Sequence, residues 1–289
     1  MEHASLDDFL AREGKALRSG PSLFVFDEDG VELESTLRHH LAIGFRTLLV
    51  FGEPRAPLAP DLTARVHRIR HDIHADDAVP QAVNRLIAAA PGVWMAYLYN
   101  AEYLFFPFCE TRRVGEMLAF HAEERRDAML TYVIDLYAED LERHPDAVSR
   151  DAAMLDRSGY YALGREDPEN GYARKERQID VYGGLRWRFE EHVPYERRRI
   201  DRIGLFRAAP GLTLLGDHRF NVEEYNTYAC PWHHNLTAAI CSFRTAKALK
   251  SNPGPREAIG SFRWQNSVPF DWTSAQLLEL GLIEPGQWF

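Results

Sequence analysis

A chain of 289 residues is long enough to bury a sizeable core and close to the length at which a second lobe appears. Apolar residues at 45% and charged residues at 27% exclude a disordered chain, and no stretch approaches the roughly 20 apolar residues needed to cross a bilayer. The net charge of −9 argues against nucleic acid as a partner, and three scattered cysteines (Cys109, Cys230, Cys241) argue against a disulfide framework or a structural zinc site. The first residues lack the basic flank and apolar run of a signal peptide, so a cytoplasmic location is expected.

In chain order, residues 4–18 carry Leu6, Phe9, Leu10 and Leu17 on one side and predict a short amphipathic helix, stopped by Gly20-Pro21. The apolar run 22–26 predicts a buried parallel strand ending in the acidic turn Asp27-Glu28-Asp29-Gly30. Leu33, Leu37 and Leu41 predict a helix closed by Gly44, and 47–51 a second strand. A Pro-rich loop follows, then an alternating third strand at 65–69, a helix carrying Val79, Val83, Leu86 and Ile87, and a fourth strand at 93–99. A helix at 112–124 and a strand at 129–134 continue the alternation, with Asp135 placed at that strand's end. Such an order predicts an α/β fold with a mostly parallel open sheet flanked by helices, whose ligands sit beyond the carboxyl ends of the strands. The charged, Tyr- and Gly-rich region 140–215 reads instead as loops and short strands, an irregular lobe laid over the sheet's open edge. Near the end, Thr273-x-x-Gln276 caps a helix that Gly281 stops.

Several segments resemble the family 2-like glycosyltransferases of the GT-A fold. The helix ending Arg38-His39-His40-Leu41-Ala42-Ile43-Gly44-Phe45 is similar to that family's H-H-x-x-L-G-F, and Trp94 to Pro107 is similar to its W-x-x-x-x-D-x-D-E-F-L-x-x-P. Asp135-Leu136-Tyr137 resembles its D-M-Y, Gly183-Gly184-Leu185-Arg186-Trp187-Arg188 its G-G-x-R-x-R, and Gly216-Asp217-His218-Arg219 its S-x-H element. The resemblance implies a single GT-A-like domain over 1–289. Its nucleotide-sugar-binding half would be about 20–138, and its acceptor-side half with C-terminal helices about 139–289.

It also implies a Mn²⁺ or Mg²⁺ ion that bridges the donor's diphosphate and neutralises the departing charge, and a carboxylate that takes the acceptor's proton. The chain departs from the pattern where those ligands belong. Anchored on Pro107, Glu102 takes the last acid of D-x-D-E while Tyr99 and Ala101 take the two metal-facing aspartates; a shift of one residue gives Asn100-x-Glu102 instead. Cys241-Ser242-Phe243-Arg244 stands where the family reads L-H-F-K, so a histidine ligand is replaced as well.

Glu102 and Asp135 are therefore the catalytic candidates. Asp27, Asn100, Arg186, Arg188 and His218 are the candidates for the nucleotide-sugar, and Asn100, Glu102 and His218 for a metal. Arg186 and Arg188 would point to one side of an extended segment and could grip a diphosphate bidentately, or else pair with Glu190 or Glu191. The basic cluster 196–199 and Arg202 would either meet a phosphate or form a solvated face. His233 and His234 read as a loop pair before they read as ligands, and His39 and His40 as helix surface or core. Two functions fit. One is transfer of a sugar from a nucleotide-sugar to a glycan or small acceptor. The other is a catalytically impaired homologue on the same scaffold that acts as a binding or partner protein. The aromatic tail Gln287-Trp288-Phe289 would suit a homo-oligomer contact.

Overall fold

A computed structural model describes residues 1–228 and 235–288. In chain order the elements are β1 (Glu2–His3), α1 (Leu6–Glu13), β2 (Ser22–Phe26), α2 (Leu33–Ala42), β3 (Thr47–Phe51), α3 (Pro60–Thr63), β4 (Val66–Ile69), α4 (Ala78–Ala89), β5 (Trp94–Tyr99), β6 (Glu102–Phe105) and α5 (Val114–Glu123). There follow β7 (Ala128–Ala138), β8 (Ala153–Asp156), β9 (Tyr160–Asp167), β10 (Ala173–Gly183), α6 (Gly184–Arg188), β11 (Asp201–Arg207), β12 (Ala238–Ser242), α7 (Arg244–Ser251), α8 (Pro253–Ala258), β13 (Ser267–Pro269) and α9 (Ser274–Glu279). The class is α/β with a mostly parallel sheet flanked by helices, as the alternation of elements predicts. Among the described residues no helix is long and apolar enough to cross a membrane.

The chain forms two compact units. The first comprises Met1–Tyr103, Thr111–Leu130 and Arg202–Asn226. Its strands run in the order β1-β4-β3-β2-β5-β11. The first five are parallel: Phe26 of β2 stands level with Phe51 of β3 and with Tyr99 of β5. All five residues of β2 and of β3 are buried, which is why both read as unbroken apolar runs rather than alternating ones. Phe24, Phe26, Tyr97 and Tyr99 pack on one face against Val79, Val83, Leu86 and Ile87 of α4 and Phe9 of α1. His40 of α2 is fully buried with its Nδ1 2.7 Å from Thr36 O, a core histidine. β11 is the exception in direction. It pairs antiparallel with β5, Leu205 against Ala96, so its first residues lie at the edge where the parallel strands end. This strand at 201–207 lies inside the region read as loops and short strands.

The second unit comprises Leu104–Glu110, Thr131–Asp201 and the described residues of Thr227–Phe289. β12 runs parallel to β7, with Ser242 level with Asp135, while β8 pairs antiparallel with β7 and with β13. β9 and β10 form an antiparallel ribbon whose register slips between Arg174 and Ile179. Tyr137, Met154, Leu185, Ala246, Leu249 and Phe262 make the unit's core. Thr273 caps α9 by accepting from the Gln276 N–H at 3.2 Å, as its spacing predicts. Cys109 and Cys241 are buried free thiols.

Candidate functional site

In the first unit the carboxyl ends of β2, β3 and β5 fall side by side. The Asp27 N–H donates to Phe51 O at 2.8 Å and the Asn100 N–H to Phe26 O at 3.2 Å, extending the ladders past the strands by one residue. Gly52 lies against Asp27 with φ +151°; a Cβ there would stand 2.8 Å from Asp27 O, so only glycine lets the two ends approach this closely. Asp27 is 3% exposed and accepts the Gly30 N–H at 2.7 Å. Burial raises its carboxyl above the ordinary range and the Asp29 charge adds to this, while the Gly30 N–H, Arg55 and Arg68 pull the other way.

Asn100 clamps this acidic turn to the end of β5. Its Oδ1 accepts the Glu28 N–H at 2.8 Å, and its Nδ2 donates to Asp29 Oδ1 at 2.5 Å and to Val31 O at 2.8 Å. Both amide protons are thereby used. Ala101 then turns the chain with φ +59°, completely buried, its N–H donating to Thr36 Oγ1 at 2.9 Å. This turn folds Glu102 back so that its Oε2 accepts the Tyr99 N–H at 2.9 Å.

The same Oε2 accepts from Nη2 of Arg202, and the two side chains form a salt bridge. Glu102 is 1% and Arg202 7% exposed, so the pair is buried. The guanidinium lies 5.6 Å from the centre of the Tyr97 ring and 5.8 Å from that of Tyr99, close enough for cation–π attraction to both. Tyr97 also carries His218, whose ring stacks on it at 5.7 Å and 12° and whose Nδ1 meets the Tyr97 hydroxyl at 3.0 Å. Glu102, Arg202, Tyr97 and His218 thus form one connected cluster, and Asp27 and Asn100 a second one beside it on the same strands. Arg202 stood in the sequence only as part of a basic stretch. Its partner lies 100 residues away, and only the antiparallel insertion of β11 joins them.

The divalent cation that the resemblance implies needs hard oxygen ligands with free lone pairs. These residues do not fit it. Asn100 Oδ1, the ligand atom of that side chain, accepts the Glu28 N–H, Glu102 is neutralised by a guanidinium, and Ala101 offers no ligand atom on its side chain. Among the described residues no group of three or more His, Cys, Asp or Glu side chains is placed to hold an ion. His233 and His234 lie outside the described residues.

The remaining candidates lie in the second unit. Asp135 does not end its strand: β7 continues through Leu136, Tyr137 and Ala138, all buried, because the apolar pattern runs on to residue 138. Its carboxyl is 1% exposed and Oδ2 accepts the Leu185 N–H at 2.7 Å. Gly184, with φ +60°, lies so near that a Cβ would come within 2.5 Å of that oxygen. Burial raises the Asp135 carboxyl, against the opposing pull of Arg186 and the Thr245 hydroxyl.

The expected extended grip of Arg186 and Arg188 is also corrected. Residues 184–188 form a helical turn, and positions two apart on a helix diverge. Arg186 donates to Arg199 O at 2.7 Å, Arg197 O at 3.2 Å and Thr245 Oγ1 at 3.3 Å. Arg188 instead grips both oxygens of the buried Asp156, at 3.2 and 3.0 Å, with Trp264 under its guanidinium at 4.7 Å. The Glu190 carboxylate, one of the two partners expected for these arginines, accepts from Arg198 at 2.9 Å.

No family model and no curated protein matches the chain. Among solved structures, S. aureus TarS aligns with 40% of this chain and 22% of its own length, at 12% identity and a TM-score of 0.30. Residues 1–349 of TarS in complex with UDP align with 40% of this chain and 36% of that one, again at 12% identity and 0.30. A second structure of the same TarS residues gives 14% identity and 0.29. The chain spans well under half the length of these proteins, and a superposition of that depth carries no conclusion about activity.

Proposed function

We propose that the chain is a glycosyltransferase-like protein that binds a nucleotide-diphospho-sugar at the carboxyl edge of β2 and β5 and transfers the sugar to a glycan or small acceptor. The observation that carries this reading is the clamped acidic turn. A buried Asp27 and the 27–31 loop are fastened by Asn100 to the end of a neighbouring parallel strand, at the edge where open α/β sheets take their ligands. The motif order read from the sequence supports the same class. In this reading Asp27 meets the nucleoside.

Thermal melts of the full chain with UDP- and GDP-sugars, followed by assay of released nucleotide, test the proposal. A ligand at about 100 times its dissociation constant should add roughly 2.7 kcal/mol. Absence of any shift across the panel would overturn it. A second reading is favoured by the buried Glu102–Arg202 pair: a homologue that binds the nucleotide-sugar without transferring it. Binding with no released nucleotide would decide for that reading.

A further inference from the structure

We infer that the guanidinium of Arg202, held by Glu102, stands where this edge would otherwise need a divalent cation, so that a diphosphate bound here is held without a metal ion. The inference deepens the proposed nucleotide-sugar site and rests on it for the ligand, but not for the electrostatics.

Positions 99–102 present Tyr, Asn, Ala and Glu, and each is already committed. Tyr99 lends its N–H to Glu102 and its ring to Arg202, Asn100 clamps the 27–31 loop, and Ala101 is buried against Thr36. Glu102, the one acid in the segment, has its Oε2 held by a backbone N–H and by a guanidinium at the same time. Mg²⁺ would have to approach that carboxylate within about 2.0–2.1 Å, displacing or closely facing a group that never loses its own charge. The arrangement also has a structural cause. β11 enters the sheet antiparallel, so its second residue arrives where the parallel strands end, and Tyr97 and Tyr99 project to the face that receives it. The guanidinium is thus fixed at the carboxyl edge by an ion pair and two rings, with planar donors suited to phosphate oxygens.

The test is a pair of titrations on the full chain. Mn²⁺ is first titrated into the protein alone and followed by electron paramagnetic resonance. A nucleotide-sugar that shifts the melt is then titrated calorimetrically in EDTA and in saturating Mn²⁺. The expected results are no Mn²⁺ bound at a single site, and affinities in the two buffers that agree within about twofold. Arg202→Gln should weaken nucleotide binding by roughly tenfold or more, while Arg202→Lys, which keeps the charge, should lose only a few-fold.

Mn²⁺ binding that Glu102→Gln abolishes would overturn the inference, as would binding that needs Mn²⁺ or an Arg202→Gln variant of unchanged affinity. Should Arg202→Gln not fold, Arg202→Lys decides: a loss beyond roughly tenfold in a folded protein contradicts a role through charge. If no nucleotide-sugar binds in either buffer, the proposed function fails. The Mn²⁺ titration then still decides whether the Glu102–Arg202 pair excludes a cation.

Discussion

Removing the Arg202 charge should leave a carboxylate stranded in the first unit. In Arg202→Leu, Glu102 stays buried, at 1% exposure in the wild type, and loses the guanidinium that neutralises it. Breaking a buried ion pair from one side costs about 3–5 kcal/mol. Glu102 keeps the Tyr99 N–H at 2.9 Å, which places the expected loss near the lower figure, about 3 kcal/mol. For chains of 150–250 residues each kcal/mol moves the melting temperature by about 2–4 °C, so the variant should melt roughly 6–12 °C lower. Amides of β5 and β11 that exchange through opening of the first unit should exchange roughly 10²-fold faster. The double variant Glu102→Leu/Arg202→Leu removes both charges and should recover about 1–2 kcal/mol, leaving about 1–2 kcal/mol for the orphaned Tyr99 N–H. Urea denaturation of the wild type, both singles and the double closes the cycle. A loss below about 1 kcal/mol in Arg202→Leu, or a double variant no better than that single, would mean that the pair is not the buried, mutually neutralising one described above.

Asn100→Ala removes three bonds from a completely buried side chain and should cost about 2–3 kcal/mol, with hydrogen exchange rising first in residues 27–31. Ala101→Asp puts an acid back into the segment but buries it; aspartate tolerates the φ of +59°, so a loss above about 3 kcal/mol, read from urea unfolding, would report the burial alone, and no Mn²⁺ site should appear. Asp27 has its proton affinity raised by burial, so its contribution to stability is fully present below its unfolded pKa of about 3.9 and is lost as pH rises through the folded value. Asp27→Asn should therefore gain stability relative to wild type as pH rises through that window, measured by melts across pH; a difference independent of pH would contradict the shift.

The parallel half of the first unit was legible in the residues because its signals are local. The runs 22–26, 47–51 and 94–99 and the α4 spacing each follow from side chains a few positions apart. The acidic turn after β2 and the segment after β5 were placed at one edge by the strand order alone. What the residues did not disclose depends on distant partners. β11 lies in a stretch whose charges mask its buried Ile203, Leu205 and Phe206, and nothing near Arg202 points to Glu102. Arg186 and Arg188 read equally well as extended or helical, and the positive φ of Gly184, packed on Asp135, selects the helix. Asp135 looked terminal because a charge usually ends an apolar run; here the strand continues past it, and the Leu185 N–H donates to its Oδ2 inside the unit.

A nucleotide-sugar site at the carboxyl edge of β2 and β5 stands or falls on hydrogen exchange of the full chain, with and without a saturating nucleotide-sugar in EDTA. Protection should concentrate in residues 27–31 and 99–102. Protection confined to other segments, or none from any nucleotide-sugar, would contradict a site there.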